Sequence, residues 1–120
     1  KAWGGIASLQ FGLPAGWTEA RKRGYGIEEV IRWMSLSPAR LAGVSDRKGS
    51  IRVGADADLV VWDSEADFTV GDGPIHHRHS VTPYSGKDLK GEVKSTFLRG
   101  EKIYEKGEFS PTPLGRTLIR

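Results

Sequence analysis

The chain has 120 residues, enough for one modest domain, and its net charge of +3 is too small to indicate a nucleic-acid partner. It contains no cysteine, which excludes disulfides and thiolate metal sites within these residues and favours a reducing compartment, here predicted to be the cytoplasm. No apolar run approaches the roughly 18 residues of a membrane span, so no membrane partner is predicted. The first residues lack a signal-peptide pattern, and because the chain begins with Lys1 rather than Met, we expect a piece of a longer polypeptide.

The segment from Trp3 to Gln10 is the best local candidate for a binding site. Its adjacent glycines, Gly4 and Gly5, let the backbone pass close to a ligand because no Cβ lies in the way. The peptide N–H and C=O groups exposed there can pair with the amide edge of a ligand. The alternative is an ordinary turn before a helix. A phosphate loop is excluded because the Gly-Lys-Ser/Thr ending is absent.

Residues 1–12 are predicted to form a loop that leads into the first helix. Pro14 suits the first turn of that helix, where its missing N–H is harmless. The basic run Arg21–Arg23 falls in the last turn, where cations complement the carbonyl end of the helix dipole. Gly24 is then predicted as the C-terminal stop, so the basic run is interpreted as capping on a solvated face.

A second helix is predicted over Ile27–Leu36, with Glu28 and Glu29 capping its first turn. Apolar residues recur there at i, i+3, i+4 and i+7, which is typical of a buried stripe. The stripe consists of Ile27, Val30, Ile31 and Met34. A short third helix is predicted over Pro38–Ala42, with Ser37 as its N-cap and Gly43 as its stop.

From Val44 onward the pattern favours strands joined by glycine-containing and proline-containing turns. The apolar, β-branched run Leu59–Trp62 suits a strand with both faces covered. Arg99-Gly100 is predicted as a hairpin turn, and residues 71–91 and 107–116 as irregular connections. The candidate strands are Ser50–Val53, Asp58–Trp62, Phe68–Val70, Glu92–Leu98 and Lys102–Tyr104.

Two polar clusters invite a metal-site interpretation, and neither is predicted to be one. In His76–His79 neighbouring side chains point to opposite faces of an extended segment, and Arg78 would oppose a cation. Structural hydrogen bonding and packing are the preferred roles for these histidines. Asp56 and Asp58 lie in a predicted turn, so Asx-type turn bonding is the preferred role for these carboxylates.

Five strings spread over nearly the whole chain resemble the allantoinase family of cyclic amidohydrolases. The middle string is typical of the amidohydrolase superfamily in general, whereas the first and fourth narrow the resemblance to allantoinases. The strings are KAWGGIASLQ (1–10), SPARLAG (37–43), GADADLV (54–60), HRHSVTPY (77–84) and FLRG (97–100).

The resemblance implies an α/β fold, in which this chain is the C-terminal end of a (β/α)₈ barrel followed by strands of an accessory β-sandwich. Residues 1–43 would be the last loop and helices of the barrel, and residues 44–120 the C-terminal part of the accessory domain. It also implies hydrolysis of the hydantoin ring of allantoin to allantoate, in purine breakdown. The alternatives are a dihydropyrimidinase or hydantoinase activity, or a non-catalytic scaffolding relative of the same fold.

In that family two divalent metal ions, commonly zinc, are held by residues that would lie upstream of this chain. The resemblance therefore assigns no catalytic or metal-binding residue to these 120 positions, and the chain alone is predicted to be inactive. Trp3, Gly4 and Gly5 would contact the cyclic ureide substrate, with packing as the alternative role of Trp3. The expected partners are the missing N-terminal barrel segment and further copies of the protein, as in a homotetramer. Without the barrel, four side chains are expected to expose apolar surface: Leu13, Trp17, Val30 and Met34.

Overall fold

The computed structural model describes residues 6–78 and 81–118. Within this part of the chain, helical elements come first and strands follow, as the sequence predicts. A 3₁₀ turn (Leu9–Phe11) leads into α1 (Gly12–Lys22), α2 (Ile27–Ile31), a π-helical turn (Arg32–Leu36) and α3 (Ser37–Leu41). The strands are β1 (Leu59–Thr69), β2 (Asp88–Leu98), β3 (Glu101–Glu105) and β4 (Glu108–Phe109).

Glycine ends both α1 and α3, which confirms the two predicted stops. Gly24 and Gly43 have φ of 80° and 62°, a backbone conformation that side chains with a Cβ rarely adopt. After α1, the Tyr25 N–H donates to the Ala20 carbonyl at 3.0 Å, so a carbonyl of the last turn is satisfied. At the start of α2, Glu29 accepts the Gly26 N–H at 3.0 Å, which is the capping role predicted for its carboxylate.

The prediction that Ser37 caps a separate helix is wrong. Ser37 has helical φ and ψ of −67° and −44°, and helical backbone continues from Ile27 to Leu41. Pro38 explains the π-helical turn before it, because proline has no N–H for the carbonyl four residues back and its ring crowds that carbonyl. Bonds that span five residues accommodate this displacement.

Burial along the helices differs from the predictions in two ways. Val30 is 1% exposed, but Ile27 is half-buried and Ile31 and Met34 are 49% and 44% exposed, so only one residue of the predicted stripe is buried. Val30 was predicted to expose apolar surface, and its burial makes that prediction wrong. The prediction is also wrong for Trp17, which is 6% exposed. The reason is local, since its indole N–H donates to the Ser64 carbonyl at 2.8 Å and holds the ring against β1.

The basic run after Trp17 is solvated, as predicted. Arg21 and Lys22 lie in the last turn of α1 and pair with Glu65 and Glu19. Both cations keep roughly half or more of their side-chain surface in solvent, at 44% and 65%. Ion pairs this exposed contribute little to stability.

The four strands form one sheet in the order β1-β2-β3-β4, and β2/β3 and β3/β4 pair antiparallel. The predicted turn at Arg99-Gly100 joins β2 to β3, with φ of 51° and 85° at its two residues. Lys106 and Gly107 repeat that backbone pattern, with φ of 47° and 96°, and produce β4. The prediction of an irregular connection over residues 107–116 is therefore wrong at its start.

Other strand predictions need correction. Ser50–Val53 is irregular, with a bend at Ser50 and a turn at Val53, and Ile51 and Val53 are 89% and 102% exposed. Arg52 explains this, because its guanidinium donates to the Ser45 and Asp46 carbonyls and folds the segment back on itself.

The two strands β1 and β2 are longer than the sequence predicts. Phe68–Val70 is no separate strand, since β1 continues through Thr69, and β2 begins at Asp88 within the predicted connection. Val60 and Val61 are 49% and 50% exposed, so the run Leu59–Trp62 is a strand without two covered faces in this chain.

The described chain folds into two compact units that do not follow chain order. The first unit takes in the described residues of Lys1–Val30 and Asp63–Glu92, and the second those of Ile31–Trp62 and Val93–Arg120. The core of the first unit is a cluster of Phe11, Val70 and Leu89, exposed by 4%, 2% and 6%. Four half-buried side chains pack on it: Ala15, Phe68, Ile75 and Tyr84.

Candidate functional site

The predicted substrate-contacting residues Trp3, Gly4 and Gly5 lie outside the described residues. The described part of the candidate site consists of the residues that follow Gly5 and of the groups that bind those residues. The first is Ile6, which is 64% exposed, and Leu9 is 96% exposed, so burial does not fix this stretch. Its fixed end is formed by Gln10 and Phe11.

Gln10 binds a segment more than sixty residues further along the chain through both ends of its amide. Its Nε2 donates to the Pro74 carbonyl at 2.9 Å, and its Oε1 accepts the His76 N–H at 2.8 Å. The pair of bonds also fixes the orientation of the amide, since the reverse orientation would place donor against donor. The 3₁₀ turn after the glycine-rich segment is thus tied to residues 74–76.

Phe11 secures the same junction by packing. Its buried ring meets the edge of the His77 ring at 5.9 Å between centroids, and the Tyr84 ring at 6.4 Å. Edge-to-face contacts of this kind stabilise beyond the area they bury. Gln10 ends the first string that points to allantoinases and Phe11 follows it, and these two residues therefore lie beside residues 74–77 and Tyr84, which adjoin or belong to the other such string.

His77 takes the packing role that the sequence predicts for this histidine run, since it lies against Phe11. Its Nε2 is buried and has no hydrogen-bond partner among the described residues. His76 contributes its backbone N–H to Gln10, and His79 lies outside the described residues. The sequence placed Gln10 at the end of the candidate segment but indicated no partner for it, because a single glutamine beside a 3₁₀ turn carries no pattern that names a partner 64 residues away.

A second polar cluster lies in the other unit and centres on Lys48. Its Nζ binds Asp56 at 2.8 Å and also binds Asp58, and the lysine side chain is 15% exposed. Arg47 adds a contact to Asp56 at 3.0 Å. The Asp58 Oδ1 accepts the Arg99 N–H at 2.8 Å. The aspartates thus bind side chains and a distant backbone group, which replaces the predicted role in Asx turns.

The charges in this cluster stabilise one another. Hydrogen bonds to Asp56 and then Asp58 raise the pKa of Lys48, and the bond from Lys48 lowers the pKa of Asp56. At Asp58 burial has the largest single influence and favours the neutral acid. Hydrogen bonds from Lys48 and the Arg99 N–H outweigh it, so the pKa of Asp58 is lowered. All three groups are therefore charged at neutral pH.

The ion pairs of Lys48 with Asp56 and Asp58 stabilise the fold and are not suited to proton transfer. A general acid or base works best with a pKa near the operating pH, and these shifts move every group away from it. The bond from the Gly100 N–H to the Ala57 carbonyl at 2.9 Å ties the same turn to the β2–β3 hairpin. The cluster thus fastens the turn before β1 to the tip of that hairpin.

Comparison with known proteins gives the family. A model of the amidohydrolase family matches residues 8–103, which is most of the chain and includes both clusters. This chain belongs to the amidohydrolase family.

Curated relatives of this amidohydrolase chain are allantoinases. The allantoinase of Streptomyces avermitilis is 54% identical over 119 residues, a match that covers 99% of this chain and 26% of that protein. The allantoinase of Arabidopsis thaliana is 47% identical over 117 residues, covering 96% of this chain and 23% of that protein. The chain thus spans about a quarter of the length of the curated relatives it matches.

Solved structures confirm the fold class. The L-hydantoinase (dihydropyrimidinase) of Arthrobacter aurescens superposes with a TM-score of 0.83 at 32% identity, over 91% of this chain and 24% of that one. The helices followed by an antiparallel sheet in this amidohydrolase chain accordingly correspond to part of a barrel plus further strands.

The described side chains offer no group of donors that would hold a metal ion. Among residues 6–78 and 81–118, no three His, Asp or Glu side chains are grouped so that they would hold a metal ion. Asp56 and Asp58, the two carboxylates of the charged cluster, both bind the Lys48 ammonium group. The described residues therefore do not fit a metal centre, and no step of a metal-dependent reaction is assigned to them. In the same part of the chain, no helix has the length and apolar character needed to cross a bilayer.

Proposed function

We propose that this chain is the C-terminal part of an allantoinase, which hydrolyses the hydantoin ring of allantoin to allantoate in purine breakdown. The observation that carries the proposal is the 54% identity to the Streptomyces avermitilis allantoinase over 119 residues. The 47% identity to the Arabidopsis thaliana enzyme supports it from a distant organism. A hydantoinase activity has weaker support, since the L-hydantoinase of Arthrobacter aurescens is 32% identical to this chain.

Within the whole enzyme we assign this chain a supporting role. Two divalent metal ions, proposed to be zinc, would be held by residues of the preceding barrel segment, because the described residues contain no fitting donor group. Trp3, Gly4 and Gly5 would contact the cyclic ureide. The junction of Gln10 and Phe11 with residues 74–77 supports this assignment, because it gives the segment after Gly5 a fixed end.

The remaining assignments also belong to the whole protein. Residues 1–43 are proposed as the end of the barrel and residues 44–120 as the accessory domain. We further propose a cytoplasmic homotetramer. Sedimentation of the full-length protein gives the subunit number directly, and a monomer would contradict that assignment.

The activity is tested by assaying the full-length protein on allantoin, hydantoin and dihydrouracil, each with added zinc. We expect the highest kcat/KM for allantoin. A preference for hydantoin or dihydrouracil would favour the sister activity, and no hydrolysis of any ring would favour the scaffolding relative. The isolated 120 residues should be inactive on all three substrates.

A chimera separates this chain's role from that of the upstream residues. These 120 residues replace the matching 119-residue segment of the Streptomyces avermitilis allantoinase. The control chimera carries the corresponding segment of the Arthrobacter aurescens L-hydantoinase. We expect the first chimera to retain allantoin hydrolysis and the control to lose most of it. Equal activity of the two would contradict a specific contribution of this chain to allantoin binding.

A further inference from the structure

We propose that the dipeptide Asp72-Gly73 is a site of spontaneous covalent modification, at which the aspartate is converted to isoaspartate through a cyclic imide. The reaction needs no substrate and no second protein, so it takes place whether or not the protein hydrolyses allantoin. It changes the course of the backbone beside the segment that Gln10 binds.

The reaction uses only these two residues and water. In the acid form of Asp72, the Gly73 backbone nitrogen attacks the side-chain carbon Cγ, so a C–N bond forms while a Cγ–O bond breaks. The hydroxyl leaves with the proton of the N–H as water, which gives a five-membered succinimide. A second water then opens the ring. Cleavage of the bond to Cγ restores aspartate, whereas cleavage of the bond to the backbone carbonyl leaves a main chain that runs through Cβ and Cγ, which is isoaspartate.

The sequence and the fold both favour this dipeptide as the reacting site. Among the aspartates of the chain only Asp72 is followed by glycine, and the chain contains no asparagine from which the same imide could form. Glycine leaves its own nitrogen unhindered and its backbone torsions free. Residues 71–74 are all exposed, and an added Cβ on Gly73 would meet nothing within 4 Å. The backbone therefore has room to reach the bent geometry that ring closure requires.

Asp63-Ser64 provides a comparison within the same unit, because a small residue also follows the aspartate there. The Asp63 Oδ1 accepts the N–H groups of Glu65 at 3.0 Å and Ala66 at 3.2 Å, which fixes the carboxylate. The Ser64 carbonyl accepts the Trp17 indole N–H at 2.8 Å, and both residues lie inside β1. This pair should therefore stay unmodified while Asp72 reacts.

The modification affects a short connection that is anchored at both ends. On one side Val70 is 2% exposed and forms backbone hydrogen bonds with residues 86 and 87, at 2.9 and 3.0 Å. On the other side Gln10 binds the Pro74 carbonyl at 2.9 Å and the His76 N–H at 2.8 Å. Isoaspartate inserts an extra atom into the backbone between these anchors. Because Pro74 is exposed whereas Val70 is buried, we expect the bonds of Gln10 to weaken first.

The test is to incubate the full-length protein for weeks at neutral pH and physiological temperature and to map its peptides. Electron-transfer fragmentation distinguishes isoaspartate from aspartate, and the succinimide is lighter than the parent peptide by one water. We expect isoaspartate to accumulate at Asp72 and to be absent at Asp63. Hydrogen exchange at the His76 amide should be faster in the aged protein than in fresh protein, while exchange at the Val70 amide should stay the same.

Two variants serve as matched controls. Asp72→Glu keeps the negative charge, but its imide would have a six-membered ring, which closes much more slowly. Gly73→Ala keeps the N–H and places a Cβ, for which the fold has open space, beside the attacking nitrogen. Both variants should lose the modification and the change in exchange at His76.

Three results would contradict the proposal. Aged wild-type protein without isoaspartate at Asp72, or with as much of it at Asp63, would overturn the modification site. A change in His76 exchange that persists in both variants, or that is missing from the modified protein, would overturn the effect on Gln10. The assay on cyclic ureides does not enter this test, so the proposed function stands or falls separately.

Discussion

The two compact units are stabilised by different forces. Of the eight buried apolar side chains among the described residues, seven lie in the first unit and only Ala39 lies in the second. The first unit is centred on the apolar cluster of Phe11, Val70 and Leu89, and its long-range ion pairs, such as Arg21 with Glu65, lie on the exposed surface. The second unit instead has the charged cluster around Lys48 and a glycine packed tightly against a helix.

This difference predicts that substitutions in the two units respond differently to pH and salt. Apolar burial does not depend on pH and responds only weakly to salt, whereas ion pairs weaken as carboxylates are protonated and as salt screens them. Substitutions in the apolar core of the first unit should therefore lower the free energy of unfolding by the same amount at every moderate pH. Substitutions in the charged cluster should lower it less in acid than at neutral pH.

The largest effect is expected from Phe11→Ala. The ring is 4% exposed and contacts the apolar cluster, His77 and Tyr84, so its removal leaves a cavity in the core. The free energy of unfolding should fall by about 3–4 kcal/mol, measured by urea denaturation. Phe11→Leu is the control, and it should cost less than about 1.5 kcal/mol because most of the volume is kept. Equal costs for the two variants would contradict a packing role for the ring.

Gly49→Ala tests the tight contact in the second unit. Gly49 has φ of 84°, and an added Cβ would lie 2.6 Å from the Ala39 Cβ and 2.9 Å from the Ser35 carbonyl oxygen. Strain and overlap together should lower the free energy of unfolding by about 3 kcal/mol. Gly54→Ala is matched in backbone, with φ of 86° and nothing within 4 Å, and should cost only about 1 kcal/mol. If thermal unfolding shows the same loss of stability for both variants, the close contact of Gly49 with α3 does not affect stability.

Lys48→Met should have a smaller effect. It removes the cation shared by Asp56 and Asp58 while keeping most of the aliphatic volume. A partly buried ion pair of this kind contributes about 1 kcal/mol, and the loss should shrink at 1 M salt. The exposed pair of Lys22 and Glu19 provides the control, since Lys22→Met should change stability much less. A loss that does not respond to salt would point to packing of the lysine stem instead.

The smallest predicted effect is the pH dependence of the stabilisation that the ion pairs of Lys48 provide. The pKa of Asp56 and of Asp58 is lowered from 3.8, so their stabilisation is present above that value and is lost as pH falls through the lower folded pKa. The pKa of Lys48 is raised from 10.5, so its stabilisation is complete below that value and is lost as pH rises through the higher folded pKa. Stability curves of the wild type and Lys48→Met should therefore run parallel at neutral pH and converge at both extremes. Curves that stay parallel into strong acid would contradict the ionic account.

Local sequence rules predicted what depends on a few neighbouring residues. The stops at Gly24 and Gly43 and the turn at Arg99-Gly100 were correct because each needs a positive φ that glycine readily adopts. The same rule applied to Lys106-Gly107 would have revealed β4. The strand predicted over Ser50–Val53 failed because its β-branched residues have no partner strand, while Arg52 binds two nearby carbonyls.

In the candidate site, too, features set by neighbouring residues could be predicted, and contacts between distant residues could not. The glycine-rich segment and the histidine run could each be recognised along the chain, and the resemblance they carry agrees with the family that the comparisons give. Their meeting at Gln10 and Phe11 could not be predicted, because it joins residues more than sixty positions apart. The partners of Asp56 and Asp58 were missed for a related reason, since one of them is Arg99, 41 residues away from Asp58.

By itself, the sequence determined the order of helices before strands and the positions where glycine ends an element, because these depend on short-range backbone preferences. It also indicated the family, through the resemblance of its motifs. The tertiary structure alone decided which polar groups meet and which apolar faces are covered. Gln10 reaches Pro74 and His76, and Lys48 lies between two aspartates, only because the folded chain brings distant segments together. Hydrogen bonds and ion pairs act over a few ångströms, so separation in space, rather than along the chain, selects their partners.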